Sequence, residues 1–109
     1  MPKTSETPVL DLLESMTADS IEASSLDGET LMLARIAALV AVDAPPVSYA
    51  LNLEAAGDLG IDSEQVQGVL AAVAPIVGTA RVVSATSKIA RALKLELEIA
   101  ELEAEDEEA

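Results

Sequence analysis

The chain has 109 residues, a formal net charge of −14, 50% apolar residues, and neither cysteine nor histidine. One domain is expected at this length, and a monomer so small is only modestly stable, so association would help it. The acidity argues against nucleic acid or an anionic membrane as partner, and the lack of cysteine excludes disulfides, thiolate catalysis and thiolate metal sites.

Residues 1–7 read as a frayed start, followed by a first helix with Pro8 at its first position and Thr7 as its cap. Val9, Leu12, Leu13 and Met16 recur there at helical spacing. The polar stretch from Thr17 to Ser25 predicts a turn or a second short helix around Ile21. Asp27 then caps a helix running to Val42, apolar nearly all round and so expected to be central. Asp43-Ala44-Pro45-Pro46 ends it, because a residue before proline is pushed out of the α region. Pro46 opens the next helix, Val47–Leu59, and Gly60 stands just past its end.

Asp62 with Gln65 three residues on forms a capping-box pattern. The helix it starts carries the stripe Val66, Val69, Leu70, Val73 and Val77, and Pro75 and Gly78 are expected to stop it. Thr79 begins a further helix with Val82, Val83, Ile89 and Leu93 facing inward. The acidic tail from Lys94 favours helix over strand, since Leu, Glu, Lys and Ala are strong helix formers. The expectation is therefore an all-α fold of five to six helices: an N-terminal helical arm (1–26), a helical core (27–93) and an acidic helical tail (94–109) that is solvated and mobile at its end.

The stretch from Ile36 to Gly78, IAALVAVDAPPVSYALNLEAAGDLGIDSEQVQGVLAAVAPIVG, resembles the carboxymuconolactone decarboxylase / alkylhydroperoxidase D family, and the likeness extends over residues 30–92. In the redox branch of that family a Cys-x-x-Cys-x-x-x-His run opens this central helix. Counting back from the family's glycine, here Gly60, those positions fall on Pro45, Ser48 and Asn52. The family's relay glutamate falls near Leu33. Thiolate nucleophilicity is what that chemistry requires. Proline has no nucleophile, Ser48 has no base, and Asn52 accepts no proton at neutral pH. The resemblance implies the fold and assembly as trimers and hexamers through the central helices; with the motif missing, the expectation is a homo-oligomer (dimer, trimer or hexamer) acting as a catalytically degenerate binding or scaffold module.

The decarboxylase branch does not depend on cysteine. An enzyme of that type, acting on a small carboxylate, would have to use Arg35, Tyr49 and Asn52, with Glu54 and Asp58 on the same helix. Arg35 lies in an otherwise apolar helix and must be paired or reach solvent, so a structural ion pair competes with this role.

Arg81, Ser84, Lys88 and Arg91 share one face of the last core helix. This basic stripe is open to three readings: a solvated face, an anion site, or an interface that receives a neighbour's tail. The tail would contribute Leu95, Leu97, Ile99 and Leu102, two opposed apolar stripes that one monomer face does not cover. Asp43, Asp58, Asp62 and Glu64 match no calcium loop, and capping explains them. No cofactor and no metal are expected. The run Gln65–Ala80 is shorter than the about 20 apolar residues of a membrane helix. The start of the chain has no apolar segment of a secretory signal, so a cytoplasmic location is expected.

Overall fold

A computed structural model describes the backbone of residues 6–108 and the side chains of residues 6–93. Every element is a helix: α1 Pro8–Ala23, α2 Gly28–Ala41, α3 Pro46–Asp58, α4 Ser63–Val77 and α5 Thr79–Glu108. The all-α expectation holds, with five helices among the described residues. None of them is long and apolar enough to cross a membrane.

The helix ends follow from local chemistry. Asp27 accepts the Thr30 N–H at 2.8 Å and starts α2. Asp62 accepts the Gln65 N–H at 2.9 Å while Gln65 Oε1 accepts the Asp62 N–H at 3.0 Å, a complete capping box at α4. Both α2 and α3 end in Schellman motifs. In α3 the residue past the end is Gly60 at φ 84°, and the Ile61 N–H reaches back to Ala56 O at 3.1 Å. In α2 the equivalent position holds Asp43 at φ 54°, and the Ala44 N–H reaches Leu39 O at 3.0 Å. A non-glycine residue pays for that left-handed conformation unless its side chain gains a local partner, and Asp43 gains two.

The buried residues of α2 are Leu31, Met32, Ile36 and Val40, and those of α3 are Tyr49, Leu53 and Ala56. α5 contributes Ala85, Ile89 and Ala92, and α4 contributes Val66 with four flanking aliphatics. Small side chains at the centre of the α5 face let α3 come close, and these two helices form the largest helix–helix contact. α1 stands outside this core, with no buried residue.

Three expectations need correction. The stretch 17–25 contains no separate short helix or turn, because α1 runs unbroken to Ala23. Beyond its first turn α2 is exposed only along Ala34, Ala38 and Ala41 and is otherwise buried or half-buried, as its nearly all-round apolar character predicts. Pro75 does not stop α4: it sits in the last turn, where it removes only one bond, to the carbonyl of exposed Ala71. Gly78 at φ 89° ends the helix instead. Val83 and Leu93 are exposed and not part of the core, since the buried rows of α5 are set by Ala85, Ile89 and Ala92. α5 runs from Thr79 to Glu108.

Among the described residues, the large apolar side chains Val9, Leu10, Leu12, Leu13, Met16 and Ile21 of α1 are each at least 50% exposed.

Candidate functional site

The three motif positions lie at the start of α3. Pro45 is the N-cap residue in extended conformation, and its carbonyl accepts the Ser48 N–H at 3.0 Å. One turn on, Asn52 Nδ2 donates to Ser48 O at 2.8 Å, so its amide is engaged within its own helix. The Ser48 hydroxyl makes no hydrogen bond among the described residues. Leu33, at the position of the relay carboxylate, packs against the core. Pro45, Ser48 and Asn52 are therefore neighbours along one helix, but they form no nucleophile–base pair.

The residues of a decarboxylase-type site are not linked to one another. Arg35 turns to α1, where its Nη2 donates to Ser20 Oγ at 3.1 Å and to Thr17 O at 3.5 Å. Tyr49 is fully buried, and its hydroxyl has no hydrogen-bond partner. Burial raises its pKa, and the nearby negative charge of Asp43 raises it further. Glu54 and Asp58 are exposed on the outer side of α3.

The polar cluster that does form is centred on Asp43, which from the sequence ends a helix and, with Asp58, Asp62 and Glu64, matches no calcium loop. Asp43 Oδ1 accepts from Ser84 Oγ at 2.7 Å and from Lys88 Nζ at 2.9 Å. Lys88 Nζ also donates to Asp43 O at 3.2 Å, and Arg81 Nη1 donates to Ala41 O at 2.8 Å. Two cations of the basic stripe thus satisfy the carbonyl end of α2, where the helix dipole favours positive charge. The signal was present in the sequence: a helix end in Asp-Ala-Pro-Pro leaves carbonyls that need donors, and Arg81, Ser84 and Lys88 supply them from one face. Arg91, the fourth member, is exposed. Leu95, Leu97, Ile99 and Leu102 have side chains outside the described residues.

The Lys88 ammonium, with help from Ser84, holds the Asp43 carboxyl below its ordinary range. A carboxyl lowered in the folded state contributes stability above its unfolded pKa, and that stability is lost as pH falls through the folded value. Asn also tolerates the left-handed conformation, so Asp43→Asn isolates the charge. The variant is expected to melt lower at neutral pH, and the gap should close on acidification below about pH 4. Melting curves of both proteins across pH check this, and parallel curves would show that the ion pair adds nothing.

An apolar groove of about 670 Å³ opens between α3, α4 and α5, lined by Leu53, Ile61, Val66, Leu70, Ile89 and Leu93 among others. Of its polar lining residues, Asp62 is engaged in the capping box and Thr86 Oγ1 donates to Val82 O at 2.9 Å, while Ser63 and Gln67 also border it. No group of three or more acidic side chains that could hold a metal ion occurs among the described residues. Set against protein-family models, curated proteins and solved structures, the chain matches none of them.

Proposed function

We propose that this chain is a catalytically degenerate protein of the carboxymuconolactone decarboxylase-like type, working as an oligomeric binding or scaffold module. The observation that carries the reading is the apolar surface of α1, whose Val9, Leu10, Leu12, Leu13, Met16 and Ile21 are all at least half exposed. Large exposed apolar areas mark interaction surfaces. The motif positions support the same conclusion, since Pro45, Ser48 and Asn52 offer no nucleophile with a base. The enzyme alternative, with Arg35, Tyr49 and Asn52 acting on a small carboxylate, is less well supported, because among the described residues Arg35 turns to α1 and Tyr49 is fully buried, so the three do not converge on a pocket.

Two measurements test the proposal. Light scattering at tens of micromolar is expected to give at least twice the 11.2 kDa chain mass. Assays with peroxide and with dithiol partners are expected to show no turnover. A single-chain mass would remove the scaffold reading, and peroxide consumption that survives chelation would overturn the degenerate one.

A further inference from the structure

We propose that the α3–α4–α5 groove binds a small cationic amphiphile, an aliphatic chain ending in a primary ammonium. The proposal rests on the binding half of the reading above and names the chemistry of what is bound.

The groove holds about 670 Å³, within the range of about 300–1,000 Å³ for small-molecule sites. Such sites join apolar walls to a few placed polar groups, and both are present. Leu53, Val66, Leu70 and Ile89 supply aliphatic walls from three helices, and Asp62, Ser63 and Gln67 border the groove where α4 begins. Ser63 and Gln67 stand one turn apart on the face of α4 that continues to Leu70. Their side chains make no hydrogen bond among the described residues. The capping box takes only Oδ1 of the Asp62 carboxylate, which leaves Oδ2 as an acceptor.

Gly57, on the α3 wall, has no left-handed φ that would require glycine, and a Cβ there would meet nothing within 4 Å. Glycine in a helix is destabilising relative to alanine. Neither the backbone nor the packing within the chain calls for it, and the open space over it suits the close approach of a ligand.

Charge selects the head group. Among the described residues, Asp62 is the one charged side chain lining the groove, and the whole chain carries −14. A carboxylate or phosphate head would be repelled. No aromatic ring lines the groove, so the cation–π cage that holds a quaternary ammonium is missing. A primary ammonium instead brings three N–H donors and no acceptor. Asp62 Oδ2, Ser63 Oγ and Gln67 Oε1 are three acceptors for it.

Calorimetric titration of the full-length chain with butyl-, hexyl- and octylammonium tests the site. Affinity is expected to rise about fourfold for each methylene added, with octan-1-ol weaker than octylammonium and octanoate weakest. Asp62→Asn keeps the helix cap, since Asn caps as well as Asp. It should weaken octylammonium about threefold and leave octan-1-ol unchanged. Gly57→Leu fills the open space, and should abolish binding of both while the helical signal stays intact. Affinity that ignores chain length, octanoate binding as tightly as octylammonium, or full affinity in Gly57→Leu would each overturn the proposal. If no amine binds and Gly57→Leu lowers the mass by light scattering, a second copy occupies the groove and the proposal falls while the oligomeric reading stands. Chain-length-dependent amine binding to a single-chain species would remove the oligomeric reading and keep the site.

Discussion

Ile36→Ala is expected to destabilise the folded chain by about 2–5 kcal/mol, the range for truncating a fully buried aliphatic side chain. Ile36 has no exposed surface and lies between Met32 and Val40 in the middle of the buried side of α2. That face meets α3 and α4 together, so the cavity left behind would border three helices and could not be closed by moving one. A domain of this size has about 5–15 kcal/mol in total, and the loss should lower the melting temperature by at least about 10 °C. Val83→Ala, on the solvent side of α5, should stay within about 0.5 kcal/mol. Chemical denaturation of the two variants decides the matter: equal effects would mean that α2 does not form the centre of the core. The experiment should be read at fixed protein concentration, because association adds apparent stability by mass action.

Much of this architecture was legible because it is set by residues that act over one turn. Asp27, the Asp62–Gln65 box, Pro46 and Gly60 each satisfy or forbid particular backbone bonds, and each element starts or stops where they stand. Pro75 misled for a related reason: proline is costly in a helix interior but cheap in a last turn whose freed carbonyl faces water. The inward face of α5 was harder, since Val82, Val83, Ala85, Ile89 and Ala92 offer more than one apolar row. The choice fell to alanine because close approach of α3 outweighs the size of a valine. Periodicity records neither partner nor distance, so it does not see that choice.

The site was legible in type more than in arrangement. The absence of Cys and His is visible in the letters, and so is the basic stripe. What Arg81 and Lys88 turn to depends on α2 and α5 meeting about 40 residues apart in sequence, as the Arg81–Ala41 and Lys88–Asp43 bonds do. Arg35 shows the same limit. An arginine in an apolar helix must find acceptors, yet only the path of α1 shows that they are Thr17 and Ser20.

Tyr49→Phe is the second large effect, and its sign separates a scaffold from an enzyme. The Tyr49 hydroxyl is buried with no partner, and leaving such a group unsatisfied costs about 1–3 kcal/mol. Phenylalanine keeps the ring and removes the oxygen, so the variant is expected to be more stable by about 1 kcal/mol. The advantage should widen in alkali. Burial raises the phenol's pKa, so the stability tied to its neutral form is present below the unfolded value near 10 and is lost as pH rises through the folded one. Phenylalanine has nothing to ionise, and its curve lacks that limb. Tyr49 is the chain's only aromatic residue, so tyrosinate absorbance reports the ionisation without interference. A proton-donating tyrosine would behave otherwise: it would titrate early, and its removal would abolish turnover on a carboxylate substrate. Thermal melts of both proteins from neutral to alkaline pH test the assignment, and a destabilised Tyr49→Phe would mean that the hydroxyl has a partner holding it in place.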